Sequence, residues 1–198
     1  MNLDLERLRA SLLRQPAAGQ PVREAGFEFT ELTPAAVLFP IVQRAGGHTV
    51  LLTQRTAHLR DHGGQISFPG GRVEAGDPSP VHTALRETEE EIGLTRDHVE
   101  ILGFLPEYHT GTGFRVTPVV ALLTPPFELA PDPFEVAEVF EVPLAFLLEP
   151  ANRRRESREI AGRQRSFYAF TYKEHEIWGA TAAIVVNLAQ RLNAISES

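Results

Sequence analysis

Cysteine is absent from this 198-residue chain. Its absence excludes a disulfide framework, a thiolate zinc site, an iron–sulfur cluster and a cysteine nucleophile. Lysine occurs once, at Lys173, and tryptophan once, at Trp178. No apolar run approaches the roughly 20 residues that cross a bilayer, so no membrane partner is expected. The first residues carry acids at Asp4 and Glu6 and lack the apolar core of a signal peptide, which makes the cytoplasm the expected location. Positive charge is also short. The 19 basic residues face 26 acidic ones, and a net charge of −7 argues against nucleic acid as a partner. The 7 histidines show no zinc-ligand spacing with a third ligand.

One region runs against this balance. Between residues 153 and 165, six arginines meet only Glu156 and Glu159, a local charge of +4. A solvated hairpin is the plain reading of that stretch, and contact with a phosphate is the functional one.

What is present is the composition of a globular protein, with 42% hydrophobic and 23% charged residues. This length buries roughly 70% of the surface of its unfolded chain, and one domain over 1–198 is expected. Leu5, Leu8 and Leu12 recur at helical spacing, predicting a helix over about 2–15 that docks on the body. The β-rich runs 35–43 and 49–54 predict a hairpin. Ser79-Pro80 predicts a helix start and Gly93 its end. Further strands are expected over 99–105, 114–123, 136–142, 167–172 and 175–178, a loop over 125–133, and a packed helix over 180–195. The order predicts an α/β (α+β) fold, a mixed sheet sandwiched between helices.

The helix from Pro80 carries the chemistry. Glu87, Glu90 and Glu91 stand at i, i+3 and i+4, so their carboxylates converge on one face. Repulsion among them is relieved by a divalent cation, and oxygen ligands suit Mg²⁺ or Mn²⁺. A solvated acidic face is the bland alternative. Just upstream, Phe68-Pro69-Gly70-Gly71 supplies a glycine pair whose backbone can approach an ion or phosphate closely.

From Gly71 to Leu94 the chain resembles the Nudix box, a loop and helix that hold metal ions against a diphosphate. Gly71, Arg86, Glu87, Glu90, Glu91, Gly93 and Leu94 match its pattern. Asp77 stands where the box has its first Glu, Thr88 replaces an apolar residue, and one extra residue lies between Asp77 and Arg86. Ahead of the box, Leu51-Leu52-Thr53-Gln54-Arg55, Arg60, Gly64 and Phe68-Pro69-Gly70-Gly71 resemble the signature of coenzyme A diphosphatases. Every spacing is kept, and Thr56 is the one departure. Ile177-Trp178-Gly179-Ala180-Thr181-Ala182 is similar to a turn of the same enzymes, so the resemblance spans roughly residues 35–190.

The resemblance implies metal-dependent hydrolysis of coenzyme A or a derivative to 3′,5′-ADP and 4′-phosphopantetheine. It implies metal ligands at Glu87, Glu90, Glu91 and the Gly71 backbone, with Arg86 orienting Glu90. Arg55, Arg60, Gly70 and Phe68 are the expected substrate contacts. Because the rest of the chain is negative, at least one of Arg55, Arg60 or Arg154 is expected to meet the 3′-phosphate. The general base stays open among Glu87, Glu90 and, outside the box, Glu135 and Glu138. Trp178 is read as a packing residue. The rival readings are a Nudix hydrolase of another nucleotide derivative, such as ADP-ribose, and a non-catalytic regulator on the same fold. An isopentenyl diphosphate isomerase is opposed by the missing cysteine.

Overall fold

The runs 35–42 and 116–123, apolar throughout but for Thr117, do not alternate with polar residues. Strands of that kind are buried on both faces. In the computed structural model, which describes residues 4–16, 18–24, 30–58, 63–160 and 163–196, both runs are central strands. The elements in chain order are α1 (Leu5–Ser11), β1 (Val22–Arg23), β2 (Thr33–Arg44), β3 (Gly47–Arg55), β4 (Ile66–Ser67), β5 (Gly70–Arg72) and α2 (Pro80–Ile92). There follow β6 (Val99–Phe104), β7 (Tyr108–His109), β8 (Phe114–Leu123), β9 (Val136–Pro143) and α3 (Leu144–Leu148). The chain continues through β10 (Arg154–Ile160), β11 (Arg163–Tyr172), β12 (His175–Trp178) and α4 (Gly179–Ser196).

Among the described residues, nine strands form one mixed sheet ordered β1-β7-β8-β2-β3-β4, with β5 on β2, β6 on β8 and β9 on β3. The pair β2/β8 is parallel over its whole length, from Thr33 opposite Phe114 to Val42 opposite Leu123, whereas β2/β3 is an antiparallel hairpin. A second sheet holds β10, β11 and β12. One face of the large sheet is covered by α2, through Ala84 against Ala36, Leu38 and Val119, and through Ile92 against Val42, Leu51 and Leu123. The other carries the main core, where Phe39, Ile41, Leu52 and Val120 meet Leu8, Leu144, Val185 and Leu188 from the remaining helices. The mixed sheet between helices is the architecture the sequence predicts.

The N-terminal helix is shorter than the leucine spacing implies. It ends at Ser11, and Leu13 pairs instead with Phe104 through two backbone hydrogen bonds of 2.8 and 2.9 Å. Gly103 permits this approach, because a Cβ there would lie 2.8 Å from the Leu13 carbonyl oxygen. The arginine-rich stretch is a hairpin, β10 on β11, as its plain reading has it. Arg154 is neutralised across the small sheet by Glu176 and along its own strand by Glu156 at 3.2 Å.

Candidate active site

The site begins with a turn anchored from below. Phe68 is buried, its ring stacked on Phe39 at 4.6 Å, so the side chain expected to contact substrate belongs to the core and fixes the turn instead. Pro69 accepts a hydrogen bond from the Leu38 amide, and Gly71 lies opposite Ala36 in β5. Gly70 adopts φ +150°, where a Cβ would strike the backbone of Ala36 and Val37. At Gly71 a Cβ would fall on the Glu87 carboxylate. That carboxylate therefore rests against bare backbone.

Helix α2 opens with Ser79, whose hydroxyl accepts from the His82 amide at 3.2 Å, followed by Pro80 in the first turn. It closes on Gly93 at φ +70°. These caps set the phase at which the three glutamates meet the turn.

Asp77, the departure from the box pattern, is the anchor of the entry loop. Its buried carboxylate accepts from Arg86 Nε and Nη2 at 3.2 and 3.0 Å, from the Glu74 amide at 2.9 Å and from the Thr83 hydroxyl at 2.8 Å. His82 Nδ1 lies 2.9 Å away. The Arg86 bonds first, and the Glu74 amide next, hold Asp77 well below the usual carboxylate range. Arg86, fixed in this fork, reaches Glu87 at 2.9 Å and Glu90 at 3.1 Å through Nη1.

The three glutamates differ in environment. Glu91 is 4% exposed, accepts from the Gly70 amide at 3.1 Å and has Arg55 Nη1 at 3.5 Å. Burial pushes its carboxyl up to about 7 against those two contacts, with Glu87 and Glu135 adding repulsion. Glu87 is raised too, first by burial, and feels Glu90 and Glu135. Glu90 is 60% exposed and turned along Arg86. Among the described residues, no three His, Asp or Glu side chains stand close enough to form a ready metal centre. The convergence expected of Glu87, Glu90 and Glu91 is thus incomplete, because Arg86 holds Glu90 outward.

The two acids outside the box part company. Thr56 donates its amide to the Glu135 carbonyl at 2.9 Å and its hydroxyl to the Phe134 carbonyl at 2.7 Å, tying the segment after Arg55 to the loop that carries Glu135. Glu135 lies within electrostatic reach of both Glu87 and Glu91. Glu138 faces His175 Nε2 at 3.6 Å instead, away from the carboxylates. Arg60 lies outside the described residues.

The model of the NUDIX domain matches residues 32–164. The chain belongs to the Nudix family. A Photorhabdus laumondii protein named as an uncharacterized Nudix hydrolase, NudL, is 43% identical over 158 residues, covering 80% of this chain and 84% of that one. NudL of Escherichia coli K12 is 40% identical, over 80% and 82% of the two chains. Among solved structures, the Nudix hydrolase RenU of M. smegmatis matches with a TM-score of 0.50 and 26% identity over 65% of this chain and 81% of its own. The MutT protein of Methanosarcina mazei Go1 matches with a TM-score of 0.52 and 18% identity, over 86% of this chain and 100% of its own, a likeness of fold.

Nudix hydrolases generally need a divalent cation, and the residues here fit one. Glu87 lies against the glycine backbone, and buried Glu91 carries a proton affinity that a cation would relieve. All the donors are oxygen. Two features escape the sequence reading. Thr56 stands out only as a departure from a pattern, with no hint of its two bonds. Phe134 is 64% exposed at the rim, its ring 4.8 Å from that of His58, and nothing in a Pro-rich loop marks it.

Proposed function

We propose that this Nudix protein hydrolyses the diphosphate of coenzyme A or a close derivative, giving 3′,5′-ADP and 4′-phosphopantetheine, with Mg²⁺ or Mn²⁺. One observation carries the reading. The segment resembling the coenzyme A signature is joined to the carboxylate site itself, through Arg55 at Glu91 and Thr56 at Glu135.

Glu87, Glu91 and the Gly71 backbone would hold the cation, with Glu90 joining if it turns from Arg86. When bound, such an ion neutralises the diphosphate and makes a coordinated water more acidic. Arg55 keeps a buried Nε with no hydrogen-bond partner among the described residues, a donor free for a phosphate oxygen. Asp77 fixes Arg86, and Arg86 fixes Glu87, so the charge facing substrate is held in place before it arrives. Glu135 is the base we assign. Glu87 and Glu90 are engaged by Arg86, and Glu138 is at His175, whereas Glu135 has its backbone pinned and its carboxylate near the site. Water attacks one phosphorus, its proton passes to Glu135, and the P–O bond to the other phosphate breaks.

The test is a panel of diphosphates incubated with Mg²⁺ or Mn²⁺ and resolved by chromatography. Coenzyme A should yield 3′,5′-ADP, and the reaction should stop with a chelator. Faster hydrolysis of ADP-ribose or a dinucleotide than of coenzyme A would overturn the reading.

A further inference from the structure

The mechanism leaves the arginine-rich hairpin without a role, though it carries the chain's densest positive charge. Strand alternation divides its arginines. Arg154 is consumed by Glu176, Glu156 and the Thr171 hydroxyl, so it is not the phosphate contact the sequence proposes. Arg155 lines a cavity of about 170 Å³, shared with Arg23 of β1, Tyr108 of β7, Ser166 of β11 and Gly179 in the first turn of α4.

Three features of this cavity point to an anion. Neither Arg23 nor Arg155 has an ion-pair partner among the described residues. Tyr108 is 5% exposed, and its hydroxyl, within electrostatic reach of Glu24, makes no hydrogen bond to a described residue. The first turn of an 18-residue helix adds backbone donors and the positive end of its dipole. Glu24 also lines the cavity, but its carboxylate accepts from the Gly111 amide at 2.6 Å, and the two guanidiniums leave the lining net positive. One contact connects the helix that lines the cavity with the strand before the catalytic turn. Thr181 donates to the Ile66 carbonyl at 3.0 Å, tying the start of α4 to the strand that leads into Gly70.

We propose that this cavity is a second anion site, which takes a phosphomonoester on the nucleoside end of the substrate while the diphosphate lies at the carboxylates. The proposal rests on the coenzyme A reading, since the 3′-phosphate is what separates coenzyme A from its dephospho form. A charge-assisted contact from an exposed arginine should be worth about tenfold in affinity.

Steady-state kinetics on coenzyme A and dephospho-coenzyme A, for wild type, Arg155→Ala, Arg155→Lys and Tyr108→Phe, test it together with calorimetric binding of 3′,5′-ADP and 5′-AMP. Arg155→Ala should raise KM for coenzyme A about tenfold, leave kcat unchanged and barely affect the dephospho form. Arg155→Lys should restore part of the loss, and Tyr108→Phe should weaken 3′,5′-ADP more than 5′-AMP. Equal effects on both coenzymes, or a wild type that binds the two nucleotides alike, would overturn the site. If wild type fails to cleave coenzyme A yet prefers 3′,5′-ADP in an Arg155-dependent way, the site stands and the assigned reaction falls.

Discussion

Asp77 and Glu91 show opposite uses of a buried carboxylate. Asp77 is held ionised by Arg86, so its contribution to stability is full above its ordinary value of 3.8 and fades as pH falls below it. Asp77→Asn should lower kcat at least tenfold by releasing Arg86, with little change in KM. Its melting temperature should trail wild type at neutral pH, and calorimetry should find the gap closing as pH drops below about 4. Glu91 has the reverse sign. Its folded value of about 7 exceeds the ordinary 4.5, so its penalty is absent below 4.5 and complete above 7. Metal-free protein should therefore lose about 3 kcal/mol between those limits. Glu91→Gln should flatten that slope and abolish metal-dependent turnover, and thermal scans with a chelator from pH 5 to 8 read the slope. If Glu91→Gln melted with the wild-type pH dependence, the assignment of the penalty would be wrong. The sequence displays the i, i+3, i+4 spacing of the glutamates but not their inequality. That arises from Arg86 drawing Glu90 outward and from the Gly70 amide receiving Glu91.

At the scale of elements, the two glycines of the turn should fail differently. A Cβ at Gly70 meets the backbone of Ala36 and Val37 at a positive φ, so Gly70→Ala should lower the melting temperature strongly. The nearest atoms to a Cβ at Gly71 are those of the Glu87 carboxylate, the far end of a side chain that can move. Gly71→Ala should stay folded by circular dichroism and lose activity. Elements with their own signals were legible. Ser79-Pro80 and Gly93 bracket α2 to the residue, and the continuous runs mark β2 and β8. The strands β1, β4, β5 and β7 were not legible, because two or three residues hold no period and are ordered by their neighbours.

Over the whole molecule, the N-terminal helix is a clasp on the core. Leu8 is fully buried, Arg7 Nη2 donates to the Leu192 carbonyl at 2.8 Å and Arg191 Nε to that of Ser11 at 2.6 Å. Leu8→Ala should destabilise by about 2–5 kcal/mol in denaturant unfolding, with turnover of the folded fraction unchanged. Which distant acid joins the site is a matter of tertiary placement. The register shift between Gln54 and Arg55 changes how β9 meets β3, so the spacing of Glu135 and Glu138 along the chain does not say which of them nears α2. Trp178, read from the sequence as a packing residue, is half-buried with its indole 5.5 Å from the Phe167 ring, and Phe167 lines the cavity beside Arg155. The molecule's sole indole fluorophore thus stands one ring away from that cavity. Excited at its red edge, unlabelled protein carries its own optical gauge there, and a quench on adding nucleotide would follow occupancy without any turnover.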